Sequence, residues 1–137
     1  MSPENEIANA REEMARGDEA LRAATELHRL GLYNDTVSRA YYAAYHWTRA
    51  VLFTEGLESR THRGAHQLLA LHFVRAGLLP ETAATLLSQL ENLREASDYA
   101  AAVRFTEEES GEALRKTGTF IAICATLPGI AVLARPE

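Results

Sequence analysis

Arg39 and His46 are the residues of this chain whose types and spacing best suit chemistry on a phosphodiester. They stand seven positions apart. On an α-helix that is nearly two turns, so they share a side, offset by about 20° around the axis and about 10 Å along it. A histidine exchanges a proton near neutral pH. A guanidinium stays charged and grips two phosphate oxygens in a fork. Together they can run metal-free cleavage of RNA. One group takes the proton of a 2′-hydroxyl as it attacks phosphorus, and another protonates the departing 5′-oxygen. The guanidinium stabilises the charge of the phosphorane-like transition state. In a two-fold dimer, acid and base can come from different chains. Spacing alone favours structural roles: Asp35, four residues before Arg39, can form a local ion pair, and His46 can be a half-buried histidine bonded to a tyrosine.

Other residues extend the candidate site. Tyr42 shares the face of Arg39 and is a candidate for binding substrate, as are Arg49, Arg60 and His62. Thr61-His62 also reads as a helix cap or a groove-lining pair. His62 and His66 have a zinc-like spacing of four. The glutamate that follows the first histidine of the metalloprotease pattern is missing, and His72 falls on another face. No metal and no cofactor are assigned. Cys124, among Ile121, Ile123 and Leu127, reads as a buried thiol.

The elements that position these residues are helices. The spacing predicts five segments and no strand. The first runs from Glu4 to Leu30, with a break at Gly17-Asp18 and a stop at Gly31. The second runs from Asn34 to Glu55, capped by Asn34 or Asp35 and ended by Gly56. The third spans His62 to Ala76, capped by Ser59 or Thr61. The fourth spans Pro80 to Asp98. The fifth starts at Thr106, whose capping box uses Glu109, and closes before Pro128-Gly129. Short connections make the expected architecture an all-α, up-down antiparallel bundle of four to five helices.

On the second helix, Val37, Ala40, Tyr41, Ala44, Tyr45, Trp47, Val51 and Leu52 fill an arc about 160° wide that must face the core. The opposite arc holds Asp35, Arg39, Tyr42, Ala43, His46, Ala50 and Phe53. It mixes aromatic and small residues, and Ala43 and Ala50 admit a close helix neighbour. A homodimer seam is the expectation for this face, with an intramolecular contact as the alternative.

Composition sets the bounds. The 137 residues suffice for one domain. Apolar residues at 47% and charged residues at 24% fit a folded chain. One cysteine excludes a disulfide framework and fits a reducing compartment. No secretory leader is expected at the acidic, polar start, and Phe120 to Ala134 is too short for a bilayer span of about 20 residues, so a cytoplasmic location is expected. The net charge of −5 does not advertise nucleic-acid binding, and no DNA partner is expected. It is unevenly spread: residues 1–21 carry −4, residues 22–75 carry +3 and residues 76–137 carry −4. A basic middle permits a local phosphate-facing surface.

Four stretches, in order, resemble the bacterial and archaeal HEPN domains (higher eukaryotes and prokaryotes nucleotide-binding). Gly31-Leu-Tyr-Asn-Asp-Thr-Val-Ser-Arg-Ala-Tyr-Tyr-Ala-Ala-Tyr-His46 resembles G-x-Y-x-x-A-V-S-R-A-Y-Y-A-x-F-H. Gly56 to His62 resembles K-G-x-x-x-x-T-H, His72 to Leu79 resembles H-F-V-x-x-G-x-L, and Arg94 to Tyr99 resembles R-x-x-A-D-Y. The resemblance covers residues 18–127, leaving 1–17 as an N-terminal helical extension and 128–137 as a loose C-terminal tail. It implies a dimerising helical bundle and, in many members, a metal-independent ribonuclease serving as the toxin of a toxin–antitoxin pair, often beside a minimal nucleotidyltransferase. The catalytic signature of such members is R-x4–6-H. Carried over by position, Arg39 would bind phosphate and His46 would act as the acid–base residue. Ala40 stands where active members often have a polar residue, and His46-Trp47-Thr48 replaces the H-x-Y that the partner modifies in some. The alternative reading is a non-catalytic module that docks a nucleotidyltransferase or binds a nucleotide.

Overall fold

A computed structural model describes residues 2–134 of the chain. It is an α-helical bundle, with no strand among the described residues. The elements are α1 (Pro3–Arg29), α2 (Tyr33–Phe53), α3 (His62–Leu69), a π-helical turn (Ala70–Val74), α4 (Glu81–Tyr99), α5 (Glu107–Ala125) and the short α6 (Pro128–Ala131). Among the described residues no helix is long and apolar enough to cross a membrane.

The hydrophobic pattern of α2 explains its place at the centre, where it packs against α1, α4 and α5. The whole predicted inner arc, from Val37 to Leu52, is buried. It meets Leu87 and Leu90 of α4 and Ala113, Phe120 and Cys124 of α5 in one cluster. Each such large apolar side chain contributes about 1.5–3 kcal/mol by leaving water. Burial pushes the Cys124 thiol up to about 12. Thr117 of α5 donates its hydroxyl to the carbonyl of Ala40 at 3.1 Å, so a polar tie locks α5 to α2 inside the core.

The opposite arc of α2 is covered from within the chain. Ala43 and Ala50 are fully buried in the single protomer, and Phe53 nearly so. Their cover is α1, which presents Ala10, Met14, Gly17, Ala20 and Ala24. This corrects the expected homodimer seam at these residues: the small side chains do admit a close helix, and that helix belongs to the same protomer. Gly17 is part of the reason. A Cβ there would run into the Trp47 ring and stand 3.1 Å from the carbonyl of Ala43. The predicted break at Gly17-Asp18 does not occur, because this close packing outweighs the roughly 1 kcal/mol propensity deficit of a helical glycine.

Three boundaries differ from expectation. Asn34 does not cap α2. It cross-ties the α4–α5 connection, donating to Val103 O at 3.1 Å and accepting from Phe105 N at 3.0 Å. The third helix changes pitch at Ala70, where the N–H of Arg75 reaches back five residues to the Ala70 carbonyl at 2.9 Å. Past Pro128 the chain makes one helical turn and buries Ile130, although a loose tail was expected; residues 135–137 of that tail lie outside the described residues. The predicted caps of Thr61 on Gly64 N and of Thr106 with Glu109 are both present.

Candidate functional site

The turn at Gly31, with φ of 79°, folds α1 back along α2 and sets one flank of the site. Arg39 and His46 line the same open groove between these helices, a cleft of about 420 Å³ bounded on the α1 side by Glu12, Arg16 and Glu19. Arg39 is exposed, with its guanidinium 4.6 Å from the centre of the Tyr42 ring. His46 is half-buried. Its Nδ1 donates to Glu13 Oε2 at 2.7 Å, which leaves Nε2 as the edge for exchange with a ligand. The other oxygen of Glu13 lies 3.4 Å from Nε of Arg49. One α1 carboxylate therefore organises two side chains of α2, an imidazole and a guanidinium. The groove is mixed in sign, lined by Arg16 and Arg39 as well as by Glu12 and Glu19.

A second group of polar side chains adjoins the first. The ring of His62, at the start of α3, stacks on Tyr45 with centroids 4.1 Å apart and meets Tyr42 edge-on at 5.9 Å. Tyr45 also neighbours His46, with centroids 6.1 Å apart. Behind these rings lies the hydroxyl of buried Tyr41, 2.7 Å from His62 Nδ1 and 3.1 Å from His66 Nε2. His66 Nδ1 in turn lies 2.9 Å from Glu91 Oε2 of α4. Arg94, buried on α4, stands over the Tyr41 ring at 5.2 Å and approaches Asp98 at 3.7 Å. Burial first, and then the Arg94 charge, holds His62 below the ordinary imidazole value. Burial also holds His66 low, outweighing the pull of Glu91. Desolvation raises Tyr41 far above a normal phenol.

Of the residues singled out from sequence, Arg39, Tyr42, His62 and His46 form one run of contacts through the rings of Tyr42 and Tyr45. Arg49 joins through Glu13 and also approaches Glu58 at 4.0 Å. Arg60 is exposed in the connection before α3 and takes no part in these contacts. The zinc-like spacing of His62 and His66 serves a shared hydroxyl, and among the described residues no group of three or more His, Cys, Asp or Glu is arranged to hold a metal. Sequence reasoning missed Glu13, Glu91 and the role of the Tyr41 hydroxyl. Glu13 is 33 residues from its partner and had no local signal. Tyr41 had one: a phenol on a core-facing arc needs a partner for its hydroxyl, and histidines spaced i and i+4 can supply it.

Known proteins resemble this chain in sequence. Residues 10–127 match the HEPN domain family. A "putative toxin" of Methanocaldococcus jannaschii is 35% identical over 76% of this chain and 77% of its own length. A "UPF0332 protein" of Gloeobacter violaceus is 34% identical over 74% of this chain and 80% of its own. A second M. jannaschii protein named "putative toxin" is 26% identical over 77% of this chain and 72% of its own. With the family match spanning most of the chain, from α1 to the end of α5, this protein belongs to the HEPN domain family.

Proposed function

We propose that the protein is a metal-independent endoribonuclease of a toxin–antitoxin-like module, leaving 2′,3′-cyclic phosphate ends. The observation that carries this reading is the shared groove of Arg39 and His46, with Glu13 fixing the imidazole so that its Nε2 is the edge for exchange. In this account Arg39 grips the scissile phosphate, and Arg16 stands in the same groove to assist. His46 moves a proton at its Nε2. Tyr42 offers a ring to a base. Two related proteins carry a toxin name, which supports the toxin-like role. A homodimer, with a minimal nucleotidyltransferase as counterpart and a cytoplasmic location, belongs to the same proposal. Because α1 covers Ala43 and Ala50, the proposed dimer contact must use other surface.

The test is cleavage of end-labelled RNA by chelator-treated protein. Parent protein is expected to cut. Arg39→Ala and His46→Ala should each lose about 10²-fold or more in kcat/KM while keeping the parent's helical spectrum. Equal cleavage by parent and His46→Ala would remove the assignment.

The acids in the groove favour a second reading. Glu12, Glu13 and Glu19 crowd the surface that a polyanion must approach, which suits a non-catalytic module docking a nucleotidyltransferase or binding a single nucleotide. A clean parent protein that leaves every RNA intact, yet gives heat with a nucleotide in calorimetry, would support it.

A further inference from the structure

We propose that His62 is the general base of this site: its Nε2 takes the proton of the 2′-hydroxyl while His46 supplies the proton that leaves with the 5′-oxygen. The inference rests on the ribonuclease reading and deepens it, because one protomer then carries both acid and base.

The argument is the direction of a hydrogen-bond chain. Glu91, as a carboxylate, only accepts, so the atom facing it, His66 Nδ1 at 2.9 Å, carries a proton. In a neutral His66 the other nitrogen, Nε2, is then a lone pair. It accepts from the Tyr41 hydroxyl at 3.1 Å. That hydroxyl has spent its one proton, so its oxygen accepts from His62, whose Nδ1 at 2.7 Å must be the protonated nitrogen. Each link leaves one choice for the next, and the last leaves His62 with an unprotonated Nε2. That nitrogen has no hydrogen-bond partner among the described residues. Burial lowers the pKa of both imidazoles, which favours the neutral form that the chain requires.

His62 and His46 flank the same tyrosine ring, that of Tyr45. The ring of His62 touches Tyr41, Tyr42 and Tyr45, all of α2. Arg94 of α4 and Arg49 and His46 of α2 oppose its protonation, and Glu91 favours it. In the step, the bond from 2′-oxygen to phosphorus forms and the bond from phosphorus to 5′-oxygen breaks. One proton passes to His62 Nε2 and one leaves His46 Nε2, giving a 2′,3′-cyclic phosphate and a 5′-hydroxyl. Exchange with solvent restores both histidines. Tyr41, His66 and Glu91 are positioning residues.

The test joins two measurements on the full chain. Imidazole nitrogen chemical shifts should show His62 with its proton on Nδ1; a proton on Nε2 overturns the proposal whatever the activity. In RNA cleavage, His62→Asn keeps a donor near the Nδ1 position for Tyr41 but has no basic nitrogen. It should lose about 10²–10⁴-fold in kcat with KM unchanged. Glu91→Gln should keep the fold but lower kcat about tenfold or more and give imidazole shifts of mixed His62 tautomers, because a glutamine no longer fixes the proton on His66 Nδ1 and, through Tyr41, the one on His62 Nδ1. A cleaving parent with an equally active His62→Asn, or a Glu91→Gln with undiminished kcat, overturns the base and leaves the ribonuclease reading standing. A parent that cuts no RNA overturns both.

Discussion

Glu13 holds Nδ1 of His46 at 2.7 Å from across the α1–α2 groove, and this contact decides which nitrogen of the imidazole meets substrate. A glutamine there can donate to Nδ1 as well as accept, so it no longer fixes one tautomer. Glu13→Gln is therefore expected to lower kcat by about tenfold or more with little change in RNA binding, by the logic that governs a histidine oriented by a carboxylate. Single-turnover cleavage beside a filter-binding titration separates the two quantities. At this scale the sequence was legible where a residue's own chemistry and its helix neighbours sufficed: Arg39, Tyr42 and His46 share a face by spacing alone. It was silent on Glu13, because nothing local to residue 13 signals a partner 33 positions away.

The helices hold these contacts only as well as α1 lies against α2, and Gly17 permits the approach. Gly17→Val places side-chain atoms against the Trp47 ring and the Ala43 carbonyl. It is expected to destabilise the fold by about 1–3 kcal/mol, read as a lower urea midpoint. At the other end of the bundle, Thr106→Ala removes the hydroxyl that accepts from Glu109 N at 3.1 Å. It should cost about 0.5–2 kcal/mol, with cleavage unchanged. The inner arc of α2, the Thr61 and Thr106 caps and the ends at Gly31 and Gly56 were readable because each is set by residues within one or two turns. A helix wheel shows that the Ala43–Ala50 face wants a close neighbour but not which helix supplies it. For the same reason Asn34, a sound cap by type, was free to tie the α4–α5 connection instead.

Across the whole molecule, the neutral histidines couple stability to pH. His62 and His66 are held below the ordinary value in the fold, whereas the unfolded chain titrates near pH ~6.5. As pH falls below that value the unfolded state binds protons that the folded state does not, so their contribution to stability, full above pH ~6.5, declines until the folded values are passed. Urea midpoints between roughly pH 5 and 7.5 should fall on the acid side, and His66→Gln should flatten that slope. The assembly is testable at the same scale. Sedimentation should find a dimer whose association survives Ala43→Ser, since α1 of the same protomer covers that residue.

The most direct test of the central claim is the chemistry of the RNA ends. Chelator-treated parent protein is incubated with a short defined RNA beside His46→Ala, and the fragments are weighed by mass spectrometry. The account predicts fragments ending in 2′,3′-cyclic phosphate paired with 5′-hydroxyl ends, from the parent alone. Intact RNA, or fragments with 3′-hydroxyl and 5′-phosphate ends, would contradict it.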